Sequence, residues 1–129
     1  NIMFKHIDHI AIKVKNLEKS VHFYETYFGF QKYYEHTVPS SLIQKIAYLK
    51  LGDSILELIH VLEDENIHNQ DFHFCLESSD FDKDFNTLKN AQIKVETFPH
   101  KAGDREKKEE KWQRAVFVGL DQERIEIRG

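Results

Sequence analysis

Two histidines and two glutamates occupy matched places in this 129-residue chain. His9 and His73 lie 64 positions apart (73 − 9), and Glu57 and Glu126 lie 69 apart (126 − 57). Two imidazoles with two carboxylates make a donor set for a borderline divalent ion such as Zn2+, Ni2+, Co2+ or Mn2+. The neutral imidazoles supply nitrogen donors, and the carboxylates offset the cation's charge. Water in the remaining coordination positions leaves room for a small-molecule substrate to chelate.

Glu57 is the most telling of the four. It stands in a strand with Ile55, Ile59 and Val61 on its own face and Leu56, Leu58 and Leu62 on the other. A carboxylate in a strand that is apolar on both faces is costly unless it is paired or metal-bound. The other three each have a plainer reading. His9 alone would be an ordinary strand histidine. Glu126, between Arg124 and Arg128, reads as an exposed edge with cross-paired charges. His73 shares its face with Cys75, and a lone buried thiol usually only packs. Strand alternation puts Asp8 opposite His9, where support for the site from behind stays open. His6, His22, His36, His60, His68 and His100 have no counterpart in the other half and read as structural or surface groups.

The elements that must carry these residues are written twice. Ile10, Ile12 and Val14 alternate on one face of a strand, and Leu17, Val21, Tyr24 and Phe28 then form a helical stripe. Asn16 is a suitable N-cap and Gly29 a suitable helix stop. In the second half, Phe74 and Leu76 replace Ile10 and Ile12, and Phe81, Phe85 and Leu88 replace Leu17, Val21 and Tyr24. Ser79 with Asp82 resembles a capping box. Hairpins follow in both halves, through Gly52-Asp53 and through Asp121-Gln122.

Each half therefore reads β-α-β-β-β. The first runs Ile7–Val14, Leu17–Phe28, Phe30–His36, Ile46–Leu51 and Ile55–Leu62. The second runs Phe72–Glu77, Asp80–Asn90, Lys94–Phe98, Trp112–Val118 and Arg124–Arg128. One half alone cannot bury its sheet face, so modules 1–65 and 70–129 are expected to form one α+β domain. The second half is five residues longer, and the excess falls in His100–Lys111. Its mixed charge predicts a solvated loop; a lid offering lysines to an anionic substrate is the other reading.

Composition sets the outer bounds. Apolar residues make up 40% and charged residues 31%, with a formal net charge of −4. That supports a packed core and gives no basic face for nucleic acid. A single cysteine, Cys75, excludes an intramolecular disulfide and suits a reducing compartment. With no leader and no apolar run of the roughly 20 residues needed to span a bilayer, the expectation is a cytoplasmic protein without membrane partners.

The stretch Ile7-Asp-His-Ile-Ala-Ile-Lys-Val14, then Leu17 through Phe23-Tyr24 to Phe28-Gly29-Phe30, resembles the opening of the vicinal oxygen chelate superfamily. Glyoxalase I, methylmalonyl-CoA epimerase, extradiol dioxygenases, fosfomycin-resistance enzymes and bleomycin-binding proteins share that plan. The resemblance spans nearly the whole chain. It implies paired βαβββ modules enclosing one divalent metal per site, with His9, Glu57, His73 and Glu126 as ligands. That His-Glu-His-Glu set is the one found in bacterial glyoxalase I. Methylmalonyl-CoA epimerase usually has Gln in place of Glu57, fosfomycin-resistance enzymes use three ligands, and bleomycin-binding members lack the set. The resemblance also implies a homodimer whose sites combine modules of two chains, with a closed monomer left open.

By the same resemblance, the activity is that of a lyase or isomerase acting on a thiol hemithioacetal of methylglyoxal or a similar vicinal-oxygen substrate. The metal stabilises an enediolate while a base, Glu126 first and Glu57 second, moves the proton. A drug- or ligand-binding protein of the same fold is the alternative, with an epimerase or dioxygenase as further ones. This chain departs from glyoxalase I in three places. Gly119-Leu-Asp-Gln122 replaces an Asp-Pro-Asp-Gly turn, Lys13 stands where an Arg helps to hold glutathione, and Val61 stands where an Asn does. Lys13, Trp112 and Arg114 are the candidate substrate-binding residues.

Overall fold

A computed structural model describes residues 4–40 and 42–129; residues 1–3 and 41 lie outside it. The chain forms two compact units, residues 1–68 and 69–129. In unit 1, β1 (Ile10–Val14) leads into α1 (Leu17–Phe28), followed by β2 (Gln31–Thr37), β3 (Ile43–Leu51) and β4 (Ser54–Val61). In unit 2, β5 (His73–Glu77) leads into α2 (Phe81–Asn90), followed by β6 (Lys94–Lys101), β7 (Gln113–Val118) and β8 (Arg124–Arg128). The strand orders match: β1-β4-β3-β2 and β5-β8-β7-β6. In each sheet the first strand pairs in parallel with the last, and the other pairs are antiparallel. This is the mixed α+β architecture predicted from the repeat.

Local chemistry explains most boundaries. Asn16 caps α1 by accepting from the Lys19 amide, and Gly29 ends it at φ 75°, a left-handed conformation that favours glycine. α2 begins one residue later than predicted. Its cap is Asp80, which accepts from the Lys83 amide, rather than a box built on Ser79. Gly52 at φ 57° makes the tight β3–β4 turn. The β7–β8 connection is wider than an Asp121-Gln122 turn. Gln122 takes φ 70°, the Gly119 amide donates to the Glu123 carbonyl, and the Asp121 amide donates to the buried Glu123 carboxylate.

Three strand limits differ from the sequence reading by three residues, at the starts of β1 and β3 and at the end of β6, and the others by at most one. Ile7 is 80% exposed, and β1 begins only at Ile10, opposite Leu56. β6 runs past Pro99 to Lys101 because it is an edge strand with a register shift between Thr97 and His100. A proline lacks a donor, and an edge with an irregular ladder tolerates that. The cores lie between each helix and its sheet. Ile12, Val14, Tyr24, Leu49 and Leu58 are buried in unit 1, and Phe85, Phe117, Ile125 and Ile127 in unit 2. Leu62, assigned to the covered face, lies past the end of β4 and is exposed. Among the described residues no helix is long and apolar enough to cross a membrane.

Candidate metal centre

Glu57, His73 and Glu126 stand on β4, β5 and β8, and His9 immediately precedes β1. In unit 1, Ala11 of β1 pairs in register with Glu57 of β4. In unit 2, Cys75 of β5 pairs in register with Glu126 of β8. Each histidine stands two residues before the residue opposite its glutamate. The parallel strand pair therefore sets the same histidine–glutamate relation twice, although the two sequence spacings differ.

In unit 1 the His9 Nε2 is 2.9 Å from a Glu57 carboxylate oxygen. Its Nδ1 is 2.9 Å from Asp8 Oδ2. Asp8 thus meets His9 directly, because both residues precede β1 and strand alternation does not govern them. The Asp8 hydrogen bond raises the His9 pKa; slight burial opposes this, and the charges of Glu57 and Asp8 add to the rise. A carboxylate on one imidazole nitrogen fixes the ring and turns the other nitrogen toward a prospective metal. Glu57 is only 7% exposed. Across the sheet it faces Tyr48 of β3, which faces Tyr34 of β2. Tyr48 stacks on His36 with centroids 5.8 Å apart and lies 5.9 Å from Tyr34. Partial burial, then the Glu57 charge, pushes the Tyr48 phenol up, so it stays protonated at neutral pH.

In unit 2 the His73 Nε2 is 3.4 Å from Glu126. Glu126 does not lie on an exposed edge between Arg124 and Arg128. It is 5% exposed, on an internal strand, and both its oxygens accept from Arg114, at 3.2 and 3.3 Å. Arg124 pairs instead with Glu96. Burial pushes the Glu126 carboxyl up, but the Arg114 hydrogen bonds and the charges of Arg114, His73 and Arg128 outweigh it, and the net shift is downward. Arg114 also reaches His100 at 2.9 Å.

The segment His100–Lys111 is largely exposed, as its mixed charge predicts, but it is anchored inward at Ala102 and Glu109. Ala102 is buried, and a one-turn 3-10 helix at Lys107–Glu109 places the Glu109 carboxylate fully inside, at 0% exposure. Glu109 accepts from the Arg105 amide and side chain and from Arg128 Nη2. Arg128 Nη2 also donates to the Gly103 carbonyl at 2.7 Å. The signals were present in the sequence as Arg105–Glu109 spacing and as Arg128 two residues after Glu126. Neither reveals on its own that Glu109 is drawn inside.

The Arg105 hydrogen bonds outweigh burial and hold the Glu109 carboxyl at about 2, from an ordinary 4.5. A lowered carboxyl pKa stabilises the folded form fully above the ordinary value, and that contribution fades as pH falls toward the folded one. Urea midpoints measured from pH 6 to pH 2.5 should show this. The advantage of the wild type over Glu109→Gln should be flat above about pH 5 and shrink between 4.5 and 2. A pH-independent gap would mean that ionised Glu109 does not hold the segment.

The remaining predicted site residues are placed as follows. Trp112 lines a cavity of about 350 Å³ within unit 2, together with His73, Cys75, Arg105, Glu126 and Arg128. Lys13 is exposed on β1, opposite Ile59. Cys75 is exposed rather than a buried packing thiol; partial desolvation, then the Glu126 charge, pushes its thiol up to about 11, so it is not an activated nucleophile. Among the described residues no three or more His, Cys, Asp or Glu side chains are gathered as a metal cage. What each unit supplies is one imidazole nitrogen beside one buried carboxylate. Those donor types fit a borderline divalent ion.

A family model described as the Glyoxalase/Bleomycin resistance protein/Dioxygenase superfamily matches residues 6–127. A search of curated protein sequences finds no significant match. Among solved structures, the glyoxalase family protein from Enterococcus faecalis has a TM-score of 0.78 at 20% identity, covering 99% of this chain and 100% of that one. The fosfomycin resistance protein FosX from Listeria monocytogenes has a TM-score of 0.71 at 16% identity, covering 98% and 93%. TnmS3, an antibiotic binding protein from Streptomyces sp. CB03234, also has a TM-score of 0.71, at 18% identity, covering 98% and 97%. At such identities the likeness is one of fold.

Proposed function

The chain belongs to that superfamily, and from this premise we propose that it is a divalent-metal-dependent lyase or isomerase of glyoxalase I type. The proposed ligands are His9, Glu57, His73 and Glu126, with the two modules acting as one domain or as partners in a homodimer. The observation that carries the reading is the repeated pairing of a histidine Nε2 with a nearly buried glutamate. A bound Zn2+, Ni2+, Co2+ or Mn2+ would act as a Lewis acid toward two neighbouring substrate oxygens. The substrate class is a thiol hemithioacetal of methylglyoxal or a similar vicinal-oxygen compound.

The chain's own part is to hold and move the proton. Asp8 fixes the His9 ring through Nδ1. Glu126, ionised at neutral pH, takes the proton from the carbon beside the carbonyl and returns it to the neighbouring carbon. Arg114 positions that carboxylate and lowers its basicity, so Glu126 acts once the two hydrogen bonds loosen. General base catalysis of this kind is typically worth about 10²–10⁴-fold. Glu126→Gln should lower turnover within that range. The Arg114 clamp on both Glu126 oxygens favours Glu57 as the alternative base. Assays of Glu126→Gln and Glu57→Gln under saturating metal distinguish them, since a variant that has lost only a ligand regains turnover on loading and one that has lost the base does not. Full turnover in metal-loaded Glu126→Gln would reject the role of Glu126.

The same clamp favours a second reading, a ligand-binding protein without a metal. Such a protein would bind its ligand and refuse all four metals.

A further inference from the structure

We propose that Arg105 and Arg128, held together by Glu109, form an oxyanion-binding subsite in the unit 2 cavity, for a carboxylate or phosphonate group of the substrate. The inference names a substrate feature for the proposed metal site and rests on that reading for its place in catalysis, though not for binding itself.

The cavity is about 350 Å³, roomy enough for a small acid, and Arg105, Arg128 and Trp112 line it alongside His73 and Glu126. Two guanidinium groups share the single buried carboxylate of Glu109. That triad carries one positive charge in excess. Arg105 spends Nε and Nη2 on Glu109 and is otherwise 70% exposed, which leaves Nη1 as an outward donor. Arg128 spends Nη2 on Glu109 and Gly103, and its Nη1 stands 3.9 Å from a Glu126 oxygen at the cavity wall. Planar guanidinium forks match the two oxygens of a carboxylate, and fixing them beforehand reduces the ordering lost on binding. Glu126 also lines the cavity, 3.9 Å from Arg128 Nη1, and Arg114, which meets both of its oxygens, offsets its charge. Glu77 also lines the cavity, and its charge opposes an anion. The subsite therefore has an attractive and a repulsive element that can be altered separately.

Trp112 is the only tryptophan and stands in the wall, so its emission reports on the cavity. The test titrates the full chain with malonate, with methylphosphonate and with neutral malonamide. Each titration is run metal-free and after Zn2+ loading, with zinc measured on the same samples. Malonate or methylphosphonate should give a saturable change, and malonamide none. The tighter of the two acids identifies the oxyanion. Arg105→Gln should weaken binding about tenfold, the loss of one charge-assisted hydrogen bond. Glu77→Gln should tighten it several-fold while leaving the arginines in place. Equal responses to malonate and malonamide, or unchanged affinity in both variants, would overturn the subsite. Protein that binds zinc but no acid defeats this inference alone. Protein that binds acid but no metal defeats the metal reading and leaves the subsite standing.

Discussion

Replacing His73 with alanine should remove the divalent ion from a protein that otherwise holds about one per subunit. Loss of an orienting partner behind a ligand typically costs 10–100-fold in affinity, so loss of the imidazole itself should cost at least about 100-fold. Glu57→Gln should behave similarly, because the 2.9 Å partner of His9 loses its charge. Elemental mass spectrometry of tag-free protein measures this directly. The affinity should also fall with acid. Asp8, then Glu57, favours the protonated imidazole of His9, and that proton must leave before a metal enters. Below the raised His9 pKa, each unit of pH should cost about tenfold in apparent affinity from this group. Wild-type protein that refuses Zn2+, Ni2+, Co2+ and Mn2+ would move the function to ligand binding.

The second large effect is structural. Phe117 sits on β7 with 0% exposure, 5.4 Å from the Phe85 ring of α2. Phe117→Ala should destabilise unit 2 by about 3–5 kcal/mol, the usual cost of emptying an aromatic core position. Small domains are stable by only about 5–15 kcal/mol, so much of that margin would disappear. Urea unfolding followed by Trp112 fluorescence reads the change, since Trp112 lies in the same unit. A shift below about 1 kcal/mol would show that the helix–sheet interface refills the gap, contrary to a close-packed core.

How much of this was legible depends on the range of the interaction. α1 runs from Leu17 to Phe28 as its periodicity, Asn16 and Gly29 predict, because each of those signals is local. The repeat predicted the shared β-α-β-β-β succession because the apolar pattern of the two halves is nearly the same. β1 was read three residues too long, since Ile7 alternates correctly but has no strand opposite it. β6 was cut at Phe98 because proline discourages a strand, and its edge position is a property of the whole sheet.

For the site, the register pairing of Glu57 with Ala11 and of Glu126 with Cys75 follows from strands about 50 residues apart in sequence. The repeat made that equivalence visible without any contact being known. The Arg114 clamp and the burial of Glu109 had no such second copy to reveal them. Glu109 lies in the longer connection before β7, whereas Arg114 stands on β7 itself, opposite Arg128 of β8. Local charge alternation in that connection predicts solvation, which most of the segment shows, and only tertiary pairing with Arg128 draws Glu109 inside.

The parallel pairing of first with last strand has a consequence for synthesis on the ribosome. β1 is finished early, yet its hydrogen-bonding neighbour β4 is made only after α1, β2 and β3. The same wait separates β5 from β8. Pairing of strands so far apart in sequence is slow to form, because the intervening chain must first be ordered. Each unit should therefore collapse in one late step as its final strand emerges. A pause in translation before β4 or β8 would prolong the lifetime of an open sheet edge, the species most prone to pair with another nascent chain.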